Sequence, residues 1–209
     1  MGEPIRVEVA DGDLEGSSRS AFLHRVALAG GALVAGSVVV TGLPRIALGG
    51  PSVAQDRKIL NFALLLEYLQ AAFYTDGFER GKLRGDVRDF ARVVGGHERE
   101  HVTFLQKQLG SHARAKPAFE FGNATRSQRK FIAAAVTLED IGVAAYNGQA
   151  ASLTKGPFTA ATLISSVEAR HAAWIRDIAG VPPAPYAADP AQTGAQVTAA
   201  LKKTGFLRT

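Results

Sequence analysis

His97-Glu98-Arg99-Glu100-His101 is the stretch whose reading decides the fold, because the Glu98-x-x-His101 inside it returns as Glu168-Ala169-Arg170-His171. On an α-helix, residues i and i+3 share one face about 5 to 6 Å apart, so a carboxylate and an imidazole at that spacing can grip the same ion. One copy carries little weight. With ten Glu and five His in 209 residues, chance alone supplies roughly a quarter of an E-x-x-H. Two copies carry more, and each has a further Glu upstream in an apolar helical run. Glu67 stands 31 residues before Glu98, and Glu139 stands 29 before Glu168.

The order Glu67, Glu98-x-x-His101, Glu139, Glu168-x-x-His171 is similar to the ligand set of ferritin-like di-metal bundles, where two helices each give one Glu and two others each give a Glu-x-x-His. The chain resembles that superfamily over residues 56–179. Ile59-Leu60-Asn61-Phe62-Ala63-Leu64-Leu65-Leu66-Glu67-Tyr68-Leu69-Gln70-Ala71-Ala72-Phe73-Tyr74 looks like the first helix of the ferritin-like domain of desiccation-related proteins and their bacterial relatives. The resemblance implies an all-α, ferritin-like four-helix bundle, up-down-down-up, with a long crossover between helices two and three. It implies a pair of iron ions, with manganese and then zinc as alternatives. Glu67 and His101 would hold one ion, Glu139 and His171 the other, and Glu98 and Glu168 would bridge them. The partners implied are metal ions and O2 or peroxide, reduced as Fe(II) becomes Fe(III). Iron handling and protection against oxidation or drying are the tasks that follow, in a monomer or a homo-oligomer.

Composition sets the outer bounds. With 46% apolar residues the chain can bury one core and has no room for two large domains. Cysteine is absent, so disulfides and thiolate metal sites are excluded and any metal must be held by oxygen and nitrogen. The net charge of +5 and a pI near 9.7 raise nucleic acid as a partner. Without a Lys/Arg run or interleaved aromatics, however, the scattered basic residues read as a solvated surface.

In chain order, residues 1–18 are polar and read as disordered. Ser18-Arg19-Ser20-Ala21-Phe22-Leu23-His24-Arg25 then leads into an apolar run over residues 26–43, a signal-peptide pattern. It resembles a twin-arginine signal, except that Ser20 stands where the second arginine belongs. Small-residue cleavage sites at Ala47-Leu48-Gly49 and Ser52-Val53-Ala54 predict an exported protein, periplasmic or extracellular. Left uncleaved, the run is just long enough to anchor the chain in a membrane. The expected domains are therefore a leader over 1–54, a bundle over 55–180 and a Pro-rich tail over 181–209.

The first helix is expected over 56–75, with Asp56 as N-cap and Gly77 beyond its end. Leu60, Ala63, Leu64, Glu67, Ala71 and Tyr74 share one stripe. A buried Glu there needs a cation, a hydrogen-bonding partner or a proton; a Glu at the stripe's edge reaching solvent is the plainer reading of Glu67 taken alone. The second helix is expected over 86–109, closing at Gly110. Gly95-Gly96 costs it about 2 kcal/mol of helix propensity, and either close helix approach or a kink accounts for the pair. Residues 111–126 read as the crossover. The third helix is expected to open at Thr125 or Ser127, with Thr125-x-x-Gln128 as a capping box, and to reach 153. Gly156-Pro157 makes a turn, the fourth helix covers 159–179, and Asp189-Pro190 opens a short helix over 190–203.

Tyr74 lies seven residues after Glu67, and Tyr146 seven after Glu139. A tyrosine two turns from a ligand carboxylate can hydrogen-bond it or carry a radical; a core tyrosine satisfied elsewhere is the plainer reading. His97, beside the first ligand pair, is a further outer residue of the site. His97, Glu98 and His101 also form a literal H-E-x-x-H, in which two histidines bind zinc and the glutamate activates water. That peptidase reading explains only one copy, since Val167 replaces the first histidine in the second, and it would need Glu120 as a distant third ligand. A bundle that works without metal, as a stabilising module, is the remaining alternative.

Overall fold

The structure, a computed structural model, describes residues 50–208. Of the leader expected over residues 1–54, the polar stretch 1–18 expected to be disordered, the twin-arginine-like residues and the apolar run at 26–43 lie outside the described residues. Among the described residues no helix is long and apolar enough to cross a membrane. The described residues form five α-helices, α1 (Val53–Arg80), α2 (Gly85–Leu109), α3 (Gln128–Ala150), α4 (Lys155–Ile178) and α5 (Gly194–Thr204), with a 3-10 turn at Gly110–His112.

Side-chain pairs set the helix directions. Tyr74 packs on Phe90 and Tyr68 meets Gln106, so α1 and α2 are antiparallel. Arg176 meets Asp140 and Ser165 meets Asn147, so α3 and α4 are antiparallel too. Tyr146 reaches Glu67 while Tyr74 reaches Glu139, opposing α1 to α3. Phe90 packs on Trp174 and His97 on His171, opposing α2 to α4. Helices α2 and α3 must then run parallel, the up-down-down-up arrangement, and their link has to travel the bundle's length. It does so along α1. Asn61 takes hydrogen bonds with His112 O (3.0 Å) and Arg114 N (2.8 Å) at its start. Thr125 donates to Asp76 (2.5 Å) near its end. From Asn61 to Asp76 is roughly 22 Å of helix.

Several helix boundaries differ from those the sequence predicts, each because a partner outside the local sequence decides. Ser52, not Asp56, caps α1, accepting from Gln55 N. The Asp56 carboxylate instead accepts from Thr154 N (2.9 Å) and its hydroxyl (2.6 Å) at the start of α4. Helix α1 runs through Gly77, where a Cβ would strike the Phe131 ring, so that glycine serves α1–α3 contact rather than termination. The Thr125 capping box does not form: Thr125 bonds Asp76, and Gln128 accepts from Arg84 N instead. Gly156-Pro157 lies within the first turn of α4, where proline's missing N–H has no helical acceptor to lose. The last helix opens later than expected, at a Thr193/Gln196 capping box. It packs inward: Val197 and Leu201 join the core, and the Phe119–Leu207 bridge ties the tail to the crossover.

The core divides into two apolar clusters. One holds Leu69, Phe73, Val87, Phe90, Val94, Phe131, Leu138 and Ile175. The other holds Ile59, Leu60, Leu64, Leu105, Leu109, Leu153 and Ile164. Between them, on helices α1 to α4, lies a layer at positions 67, 98, 101, 139, 168 and 171. Gly95 helps set the layer's spacing, because a Cβ there would sit 2.9 Å from the Tyr74 Cβ. Since α2 is continuous through Gly95-Gly96, there is no kink, and close helix approach is the role of Gly95 alone: a Cβ at Gly96 would meet only the Arg99 side chain of its own helix, at 3.9 Å.

Candidate metal centre

All six residues expected as ligands converge in that layer. Glu67, Glu98, Glu139 and Glu168 are each 0% exposed, and His101 and His171 are 9% and 3% exposed. Both imidazoles turn Nδ1 toward the carboxylates. His101 Nδ1 lies 3.3 Å from Glu67 Oε2, 3.2 Å from Glu98 Oε2 and 3.3 Å from Glu168 Oε1. His171 Nδ1 lies 3.0 Å from Glu98 Oε1, 3.5 Å from Glu139 Oε2 and 3.8 Å from Glu168 Oε1. Two overlapping groups result, Glu67/Glu98/His101/Glu168 and Glu98/Glu139/Glu168/His171, each with ligand atoms within 4.8 Å of one another. Glu98 and Glu168 belong to both. Glu98 does so with one oxygen toward each imidazole, and Glu168 with Oε1 between the two.

Burial of four carboxylates between apolar clusters is costly unless their charge is met. Burial, then the charge of Glu98, pushes the Glu67 carboxyl up to about 8. Burial, then Glu67, raises Glu168 to about 7. Burial by itself would lower both imidazoles, but the carboxylates outweigh it. The close carboxylates of Glu168, Glu67 and Glu98 push His101 up to about 12, and those of Glu139 and Glu98 push His171 up to about 10.

Even so, Glu67 Oε2, Glu98 Oε1, Glu139 Oε2, Glu168 Oε1 and His171 Nδ1 are buried without a hydrogen-bond partner among the described residues. The short approaches among them are ion-pair distances without hydrogen-bond direction. Native interiors leave few such atoms, and five facing one another require an explanation. Bound metal ions would supply it: every orphaned atom is a metal donor of the hard or borderline type that suits iron, manganese or zinc.

The opposite oxygens are held from outside. Tyr74 on α1 donates to Glu139 Oε1 on α3, and Tyr146 on α3 donates to Glu67 Oε1 on α1 at 2.5 Å. The plainer reading of these tyrosines, satisfied away from the site, is thus corrected: each reaches across to the carboxylate of the other helix. Burial and the neighbouring carboxylates raise both phenols well above their usual range, so they stay protonated donors. Glu67 is likewise no edge residue. His97 Nδ1 meets His171 Nε2 at 2.9 Å with the rings stacked. Its own protonation is lowered, by partial burial and then by the charge of His171.

One residue of the layer was not anticipated. Gln70, 2% exposed, donates to Glu139 Oε1 (3.1 Å) and Glu168 Oε2 (3.4 Å). The available signal was its place three residues after Glu67 in an otherwise apolar stripe. The peptidase reading gains nothing from the geometry. His97 turns to His171 rather than sharing an ion with His101, and the exposed Glu120 carboxylate pairs with Arg208.

The ferritin-like domain family matches residues 55–181, more than half of the chain. The protein belongs to that family, and its buried Glu/His cluster is one that can hold metal ions. No curated protein matches the chain.

Proposed function

We propose that this chain is an exported di-iron protein that oxidises Fe(II) with O2 or peroxide, in iron handling or in protection against oxidation or drying. The observation that carries the metal reading is the set of five orphaned buried donor atoms, four carboxylate oxygens and His171 Nδ1, converging in one layer. When bound, a pair of iron ions supplies electrons to O2 or peroxide by passing from Fe(II) to Fe(III). The chain's own part is positional. His101 with Glu67, and His171 with Glu139, would hold one ion each, while Glu98 and Glu168 would hold the two together. Tyr74 and Tyr146 occupy the outer oxygens of Glu139 and Glu67 and so leave the inner ones free. The apolar clusters on either side exclude water and keep the layer's electrostatics strong. A cavity of about 420 Å³ reaches His101 and His171 from the α2–α4 side, wide enough for a small oxidant.

Anaerobic Fe(II) titration with elemental analysis tests this reading. Close to two ions per chain should bind, O2 should then oxidise them, and His171→Ala should abolish that oxidation. Failure to bind any transition metal sinks the proposal, and a single zinc with casein-cleaving activity would replace it with the peptidase. Export rests on the Arg19-to-Pro44 pattern of the sequence. Protein isolated from its host should begin near Gly50 or Gln55, and the earlier start keeps the Ser52 cap of α1. An intact Met1 on a cytosolic form would overturn it.

A further inference from the structure

The two halves of the layer correspond residue by residue. Glu67 and Tyr74 on α1 match Glu139 and Tyr146 on α3, and Glu98 and His101 on α2 match Glu168 and His171 on α4. The match fails at two places in contact with the layer. Gln70 corresponds to Gly142, and His97 corresponds to Val167. At Gly142 a Cβ would come 2.7 Å from Glu168 Oε2, so the missing side chain makes room for the carboxylate that the Gln70 amide holds. Both departures place their hydrogen bonds on the same half. Gln70 holds Glu139 and Glu168, and His97 holds His171. For His171 to offer Nδ1 to an ion, its proton must sit on Nε2, and His97 Nδ1 is the acceptor that fixes this tautomer. Among the described residues no side chain does the same for His101, whose matching neighbour, the half-buried Val167, is apolar and lines the cavity instead.

Resting on the two-ion reading above, we propose that the metal positions are inequivalent. The Glu139–His171 position is the tight one, made so by the positioning residues His97 and Gln70. The Glu67–His101 position, whose imidazole has no such partner, is the weak and exchangeable one. Outer partners of this kind orient a ligand and raise its basicity, and losing one typically costs about 10- to 100-fold in metal affinity.

Anaerobic Co(II) titration followed by its absorption bands tests this without any turnover. The wild-type chain should bind two ions in steps at least about tenfold apart. Glu139→Gln should remove the tight step and Glu67→Gln the weak one. His97→Ala should loosen the tight step by about 10- to 100-fold and leave the weak one in place. Val167→His, which installs the missing partner beside His101, should tighten the weak step by about tenfold. Two ions of equal affinity, or a His97→Ala variant whose steps both stay put or both shift alike, would overturn the inequivalence and leave the two-ion reading standing. A chain that binds no Co(II) overturns both.

Discussion

Glu98→Gln is expected to abolish the rise in melting temperature that divalent metal gives the wild-type protein, whereas Glu67→Gln should remove only about half of it. The difference lies in reach. Glu98 sends Oε2 to His101 and Oε1 to His171, so an amide there spoils both groups, while Glu67 Oε2 faces His101 alone. An ion that binds only the folded chain stabilises it by about 4 kcal/mol at a thousandfold excess over Kd. For a chain of this size that is roughly 10 °C per ion. Gln matches Glu in volume, so neither variant opens a cavity, and the melting temperatures measured in chelator serve as the control. A Glu98→Gln protein that keeps half or more of the shift would show that Glu98 is not shared.

The second large effect concerns pH, and its sign should reverse on metal loading. Glu67, normally near 4.5, titrates at about 8 here, and Glu168 at about 7. His101 and His171, normally near 6.5, move to about 12 and about 10. Every one of these groups binds its proton more tightly in the folded chain than in the unfolded one. In chelator their contribution is therefore complete below the unfolded values and is lost as pH rises, from about 4.5 to 8 for Glu67 and from 6.5 upward for the imidazoles. Denaturation in chelator should show stability falling between pH 5 and pH 8. Metal binding must displace those same protons, so affinity should climb over that range, by about tenfold per pH unit for each proton released. The loaded protein should accordingly gain stability where the chelated one loses it. Parallel pH slopes for the two would mean that ions do not occupy this layer.

The sequence alone determined four long helices, their approximate extents and six candidate donors. Apolar periodicity and the i, i+3 spacing of Glu98/His101 and Glu168/His171 are local properties, and the recurrence of the whole pattern distinguished the donors from isolated surface Glu and His. Tertiary structure alone decided the outer partners. Tyr74 serves Glu139 rather than Glu67, His97 serves His171 rather than its neighbour His101, and Gln70 reaches across to Glu139 and Glu168. Asp56 and Thr125 left their expected caps for Thr154 and Asp76 for the same reason. A polar side chain takes the partner that another helix brings within about 3 Å, and which helix that is depends on packing between segments far apart in the chain.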